Sequence, residues 1–488
     1  MNNSELDLLI VGAGPVGLLL ANECARRGLR YRIVERRPSL SVNSKALAIF
    51  PRTLEILDMA GLVDPFLKVA NQVNWVSVIA GRRRLAHIRF APQGTPYQFV
   101  AMVPQNVTEG ILEAELRRRG GAVEFGTEFL GAEQNSQRVT ASLQRNGALE
   151  RCTAQYAVGC DGAHSTLRHL LSLPFAGAQY EALFLLADVE TNEALPADAM
   201  QLCPSRHGPL AIFPMSPHRR RIVATVAQPE GDAPSLDLVR RLLIERAPPG
   251  IEARAVHWSS YFRVHHRQLS ELRVGRMFLA GDAAHIHSPF GGQGMNTGLQ
   301  DVWNLAWKLD IASRGRANDA LLESYALERR PVIARVIELT HRMTTALGSA
   351  SLLSQCVRNL AIPMATRLPG VQRVMVRRLS QLDVSCAGSP IVEGKGERYL
   401  VESLRGGTGI KSRFLLLLGG DGKKAAQSDA LIQSFSHDLE LHSLEKSGAI
   451  LLRPDGYIAY SSQNADPAIA LAATRSILSQ QLKASNLT

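Results

Sequence analysis

Apolar residues fill Leu6 to Val11 almost without a break, and after a glycine-rich turn they recur at helical spacing from about Val16 to Arg27, where Gly28 stops the pattern. A second strand-like run, Tyr31 to Glu35, follows, so the chain opens as a βαβ unit. The spacing predicts a helix over "PQNVTEGILEAELRRRG", then strands at Ala122 to Phe125, Val139 to Leu143 and Tyr156 to Cys160. Between about Phe175 and Ser270 the texture changes to short β-rich runs such as "ALFLLADVE" and "RRIVATVAQ", punctuated by proline and glycine, which predicts an inserted antiparallel sheet. Helical periodicity returns from Gly294 to about Ala350, long and amphipathic despite Pro331, and a helical connector runs on to about Leu382. The C-terminal stretch reads as strand "FLLLLGG", helix around Ala426 to Phe435, strand "LELHSL", hairpin "AILLRPDGYIAY" and a helix over Ala468 to Leu482. That β-α-β-β-α order is the order of a thioredoxin-like domain. It carries no C-x-x-C, so redox chemistry is not expected there.

At 488 residues the chain is too long for one ordinary core, and 45% hydrophobic with 20% charged residues marks it as folded. The net charge of +11 raises the question of nucleic acid, but the basic residues are scattered rather than gathered on one element, so no nucleic-acid partner is expected. The runs Gly81 to Arg84 and His218 to Arg221 are expected to be solvated hairpin tips. Six dispersed cysteines without zinc spacing fit a reducing, cytoplasmic setting with no disulfide framework. His265 and His266 lack a third ligand, and no metal site is expected. The opening apolar run carries Glu5 and Asp7 and no basic residue, unlike a signal peptide, and no run reaches the roughly 18 apolar residues of a membrane span. Trp303 and Trp307, four apart on one helical face, are expected in the core.

Three clusters carry candidate chemistry. Gly12-Ala13-Gly14-Pro15-Val16-Gly17 is a G-x-G-x-x-G turn set between strand and helix, and Glu35 closes the next strand. Gly12 permits the turn, Gly14 lets backbone approach a pyrophosphate, Gly17 brings helix to strand, and the helix N-terminus faces the anion. Glu35 is placed for ribose hydroxyls, and its charge disfavours a 2′-phosphate. Asp161-Gly162 in "VGCDGAHSTLR" and Gly281-Asp282 in "RMFLAGDAAHIHSPFGGQGMN" each follow a strand directly. Alone, either aspartate is a helix cap or turn residue.

Together these motifs resemble the D-G and G-D motifs of single-component FAD-dependent aromatic hydroxylases, the family of phenol, p-hydroxybenzoate and polyketide hydroxylases. The resemblance extends through "PRTLEILDMAGL", "VPQNVTEGILEAEL", "LLESYALERRP" and "LLRPDGYIAY". It implies an α/β fold: a Rossmann-like FAD-binding domain in two parts (1–174 and, with the helical connector, 271–390), an inserted antiparallel substrate sheet (175–270) and a thioredoxin-like C-terminal domain (391–488). It implies that Asp282 meets the ribityl chain, that Pro289, Phe290, Gly291 and Gly292 form the turn beside the reacting ring, and that backbone from Gly291 through Gly294, Met295 and Asn296 stabilises the reduced flavin edge. The glycines would be needed because a Cβ would strike the ring. Arg36, Gln105 and Asp161 join the cofactor set, as does Lys45, where many relatives carry arginine. Phe213, Tyr261 and Phe262 of the inserted sheet, with Phe290 of the turn, are candidates for an aromatic-lined substrate pocket.

The chain has one fingerprint and no second βαβ unit, and the resemblance implies that NADPH or NADH visits as a transient co-substrate. A small aromatic compound would then be hydroxylated with O2 through a flavin C4a-hydroperoxide, by a monomer or homodimer. Baeyer–Villiger oxidation or epoxidation on the same scaffold, an FAD-dependent reductase or oxidase, and a silent FAD-bound binding protein stand as alternatives.

Overall fold

The structure, a computed structural model, describes residues 5–42, 44–348, 351–400, 413–427, 429–445, 447–463 and 466–483. Five parallel strands lie side by side in the first sheet, in the order Met277–Leu279, Ala148–Gly159, Leu6–Val11, Tyr31–Glu35 and Val123–Phe125. The runs Leu8–Val11, Ile33–Val34 and Ala157–Val158 of the middle members are apolar and buried because helices cover them, chief among these Pro15–Arg27 packed between Gln105–Arg118 and Gly294–Ser313. Pro15 starts its helix where an N–H would have no partner, and Gly28 ends it in the left-handed region at φ 72°.

The second sheet has eight strands, and its composition corrects the expectation of a sheet built from 175–270 alone. Its core is Ala253–Leu269, Phe175–Thr191, Arg219–Val226, Leu210–Pro214 and Ala199–Cys203. The hairpin Trp75–Ala80 and Arg83–Arg89 extends one edge, through a parallel pairing of Ala199–Cys203 with Trp75–Ala80. His285–Ile286, just after Asp282, caps the other edge. The sheet is therefore stitched at both edges to segments from outside 175–270. One face packs on the helix Leu236–Arg246, and the other on Ala48, Phe50, Leu347 and Val376.

Gly81 to Arg84 is an exposed tip. The run His218 to Arg221 is not: Arg220 and Arg221 are buried within a strand. Arg221 meets Asp188 through both Nε (2.7 Å) and Nη2 (2.8 Å) and also donates to the carbonyls of Lys45 and Ala46. Arg220 donates to the Leu195 carbonyl at 3.0 Å. Such pairing is what a guanidinium needs to leave water.

The C-terminal unit is a four-stranded sheet in the order Leu439–Leu444, Phe414–Gly419, Ala449–Leu452, Ile458–Ser462, the first pair parallel and the others antiparallel. Two short helices, Gly422–Gln427 and Ala430–Gln433, stand where one over Ala426 to Phe435 was expected, and Pro467–Gln481 follows the last strand. Trp303 and Trp307 are core residues, and their indole N–H groups donate to Asp455, at its carbonyl and carboxylate respectively. Arg453 grips Glu328 through two hydrogen bonds of 2.6 and 2.8 Å, and Lys308 adds a third of 2.8 Å. Burial pushes the Glu328 carboxyl up, but these two cations outweigh it and hold it well below the usual range.

Among the described residues, no helix is long and apolar enough to cross a membrane, and no cluster of histidine, cysteine or acidic side chains has the arrangement to hold a metal. All six cysteines are free thiols, with Cys356 alone exposed.

Candidate functional site

Strand register brings the three motifs together. Val11 is level with Gly159 on one side and Val34 on the other, and Gly159 is level with Leu279. The G-x-G-x-x-G turn, the D-G and G-D turns and Glu35 consequently leave the same end of the sheet. Hydrogen bonds lock the exits: Gly12 N–H to Val34 (2.8 Å), Cys160 N–H to Val11 (2.8 Å) and Ala280 N–H to Gly159 (3.0 Å). This carboxyl end of a parallel sheet is where such folds bind ligands.

The three fingerprint glycines differ in cause. Gly12 has φ 99°, and a Cβ there would lie 2.5 Å from the Cys160 carbonyl oxygen. A Cβ on Gly17 would overlap the carbonyl oxygen of Gly12. A Cβ on Gly14 would meet no atom within 4 Å beyond its chain neighbours, and this residue caps the helix Pro15–Arg27 with no side-chain hydrogen bond at the cap. Val16 packs against the G-D turn, since Cβ atoms on Gly281 and Gly298 would stand only 2.9 and 2.7 Å from its Cγ2.

Glu35 accepts from Ala13 N–H at 2.9 Å, and from the backbone and Nε of Arg37 at 3.0 and 2.9 Å. Burial raises its carboxyl, but these donors outweigh it and leave it below its ordinary value. Its partner is therefore Arg37, while Arg36 is exposed. Gln105 is occupied within the protein: its Oε1 accepts from Ala46 N–H (3.1 Å), its Nε2 donates to Glu109 (3.0 Å), and its backbone N–H reaches Ser44 Oγ (2.9 Å). Lys45, on the segment so held, is exposed.

Asp161 accepts from Leu167 N–H at 3.3 Å with Oδ2, while its buried Oδ1 has no partner; burial raises this carboxyl. Asp282 is solvent-accessible yet ringed by protein, and burial again raises its carboxyl against the pull of His285 and Lys45. The two observations agree if Asp282 opens onto a deep cleft rather than a convex surface.

The turn Pro289–Gly291 leads into the helix Gly294–Ser313. Its glycines answer first to the protein itself. Gly292 sits at φ 62°, with a Cβ position in ordinary contact with Phe50 (3.4 Å), and a Cβ on Gly291 would press within 2.7 Å of Thr340. The expectation that Gly292 offers its N–H to a ligand needs correction, because that group donates to Pro289 O at 2.9 Å. Gly294, Met295 and Asn296 open the helix, and their N–H groups have no intrahelical acceptor and no side-chain cap. The Asn296 side chain ties this end to the strand Ala48–Ile49, accepting from Phe50 N–H (2.9 Å) and donating to Ala48 O (2.8 Å). The side chain of Phe290 lies outside the described residues.

Sequence reasoning missed the residue that fastens the G-D turn. Asp301, fully buried, accepts from Gly281 N–H (3.1 Å), His285 Nε2 (2.7 Å) and Arg329 Nε (2.7 Å). Burial raises its carboxyl, but His285 and Arg329 outweigh that and hold it below its usual value. A lone acid among the apolar positions of "LQDVWNLAWKL" was the available signal, because a buried carboxylate demands partners. Arg168 was also missed; it bridges the D-G and G-D segments by donating to Ala283 O (3.0 Å) and Ala163 O (2.8 Å). His287 is pushed down to about 4 by burial, so it is neutral near pH 7.

The three aromatic candidates do not share a pocket. Phe213 and Phe262 lie on the sheet face toward Phe50, with Phe262 5.8 Å from the Phe184 ring. Tyr261, next in the same strand, points to the opposite face, and its hydroxyl bonds the backbone of Glu230.

Residues 5–340 match the family model described as FAD binding domain. Over 93% of its length the chain is 34% identical to the 6-methylpretetramide 4-monooxygenase of Streptomyces rimosus, covering 90% of that protein. It is 33% identical to the 12-dehydrotetracycline 5-monooxygenase/anhydrotetracycline 6-monooxygenase of Streptomyces rimosus subsp. rimosus, covering 93% of this chain and 95% of that one. Among solved structures, an anhydrotetracycline hydroxylase from Streptomyces rimosus matches with a TM-score of 0.78 at 29% identity, covering 98% of this chain and 99% of the other.

Proposed function

The chain belongs to the FAD-binding-domain family of aromatic and polyketide monooxygenases and is an FAD-dependent enzyme of that kind, and from this premise we propose that it hydroxylates a polycyclic phenolic compound of the polyketide type. One observation carries the reading: four sequence-distant segments leave the sheet on one row, with Gly14 unobstructed, Asp282 solvent-accessible and the buried Asp161 Oδ1 without a partner. Those features fit FAD. Gly14 and the uncapped helix start behind it suit the pyrophosphate. Glu35 would accept from the adenosine ribose, and Asp282 from the ribityl hydroxyls. The N–H groups of Gly294, Met295 and Asn296 would face the pyrimidine edge, where negative charge gathers on reduction. Bound FAD, reduced by NADPH or NADH, supplies activation of O2 and transfer of one oxygen atom.

The protein's own part is to position and to exclude water. Asp301 fixes the G-D turn, and Asn296 fixes the helix start against Ala48 and Phe50. The apolar face carrying Phe213 and Phe262 stands beside that same segment and would receive the ring system, whereas Tyr261 is set aside from it. The names of the similar 6-methylpretetramide and 12-dehydrotetracycline/anhydrotetracycline monooxygenases support a polycyclic ring over a single phenol.

The C-terminal unit's strand order and pairing support a thioredoxin-like domain, whose place is to brace the helix Gly294–Ser313 through Asp455 and the helix Asp319–Gly348 through Arg453. The test is anaerobic: NADPH is mixed with the purified yellow protein while polycyclic and monocyclic phenols are compared for their acceleration of flavin bleaching. A polycyclic phenol should accelerate it, and Phe262→Ala should weaken that response while Tyr261→Phe leaves it. Acceleration by no aromatic compound would overturn the substrate assignment.

A further inference from the structure

The helical connector exposes an apolar stripe that packing among the described residues leaves uncovered. On Leu352–Thr366, Leu353, Val357, Leu360 and Met364 are 58 to 74% exposed. Their spacing of four, three and four residues puts them on one face, along a helix of about 22 Å. Val371 and Val374 continue the stripe on Pro369–Leu379 at 39 and 52% exposure. The opposite side of the pair is already used, because Ile362, Met375, Val376 and Leu379 pack on the core shared with the second sheet. Isolated surface leucines are ordinary; an aligned row of this length is not.

Charge decides what could cover it. Residues 339–382 contain six arginines and no aspartate or glutamate. Arg367, Arg373, Arg377 and Arg378 are exposed, and helical spacing places Arg378 on the same face as Val371 and Val374. Arg342 pairs with Glu338 and Arg358 is turned inward to the carbonyls of Ala346 and Leu347, so neither weakens the contrast. A second copy of the chain is a poor cover, since a two-fold contact through this face would set arginine against arginine. A basic rim around an aliphatic stripe matches instead a surface that is anionic outside and hydrocarbon beneath.

We propose that the connector Leu352–Thr366 and Pro369–Leu379 docks peripherally on an anionic lipid surface. The stripe sinks to the acyl boundary and the arginines meet headgroup phosphates. Adsorption of this kind requires no spanning helix.

The test uses the full-length FAD-loaded protein and vesicle cosedimentation. Vesicles of phosphatidylcholine containing phosphatidylglycerol should bind it at least about tenfold more strongly than phosphatidylcholine alone, and added salt should weaken the binding. Arg373→Glu/Arg378→Glu should lower partitioning about 25-fold or more, at about fivefold per arginine lost. Leu360→Gln/Met364→Gln should lower it about tenfold or more. Both pairs are solvent-exposed, and unchanged melting and flavin absorbance confirm that the variants are folded. Absence of binding to anionic vesicles overturns the proposal and leaves an acidic protein partner as the alternative. So does wild-type binding by both variants, or sedimentation velocity showing a dimer that Leu360→Gln/Met364→Gln dissociates.

Discussion

Gly14→Ala and Gly17→Ala separate ligand recognition from folding within one turn. At Gly14 the backbone is extended (φ −75°, ψ −177°), a conformation alanine adopts freely, and the added Cβ meets no protein atom within 4 Å. Loss of a helix-capping glycine and reduced freedom of the unfolded chain oppose each other, so the FAD-free protein should change in stability by no more than about 0.5 kcal/mol. The same methyl group stands where the pyrophosphate must approach. Displacing one charge-assisted hydrogen bond costs about 1.5 to 3 kcal/mol, or one to two decades in the dissociation constant. At Gly17 the methyl would overlap the Gly12 carbonyl oxygen and come within 3.3 Å of Cys160 Cβ, forcing the helix off the strand. That overpacking should destabilise even the FAD-free protein by about 1 to 3 kcal/mol. Urea denaturation of the FAD-free forms and titration of each with FAD, followed by flavin fluorescence, measure the two effects independently. Wild-type FAD affinity in Gly14→Ala, or a loss of its stability equal to that of Gly17→Ala, would refute the reasoning.

Glu35→Gln should weaken FAD by about one to two decades, measured by the same titration, and unchanged affinity would restrict Glu35 to holding Ala13 and Arg37. Asp301→Asn leaves Arg329 buried without its countercharge and should cost about 3 kcal/mol of unfolding free energy at neutral pH. Because the Asp301 carboxyl titrates below its unfolded value, that contribution is complete above the ordinary carboxylate range and fades as pH falls through the folded value. The two proteins' stabilities should therefore converge in acid, and a gap constant with pH would contradict the assignment. Gly292→Val places a branched residue at φ 62° and should cost about 1 to 2 kcal/mol in the backbone, while lowering the bound-flavin reduction potential by misaiming the helix start. Equal potentials in variant and wild type would show that Gly292 serves the turn alone.

What the sequence disclosed was local. The first strand, helix and strand were readable to within a residue because apolar period, Pro15 and Gly28 all act over neighbouring positions. Nothing local marks Trp75–Ala80 as a parallel neighbour of Ala199–Cys203, because that pairing spans more than a hundred residues. The buried Arg220 and Arg221 were hidden for the same reason, since their partners Leu195, Asp188 and the Lys45–Ala46 backbone come from other strands and loops. Tyr261 was a different failure: adjacent strand residues face opposite ways, so the period of two already separated it from Phe262. The glycines of the Pro289 turn were assigned to a ligand when Thr340 and a positive φ account for two of them. Function and packing call for the same residue there, and only coordinates distinguish the causes.

Oxygen transfer is tested most directly by isotope. The FAD-loaded protein, NADPH and a polycyclic phenol that accelerates flavin bleaching are incubated under 18O2, and product mass is compared with the NADPH and O2 consumed. The expected result is one 18O atom per product molecule, with one NADPH and one O2 used for each. Oxidation of NADPH with no label in any product, or a product formed without O2, would contradict a monooxygenase.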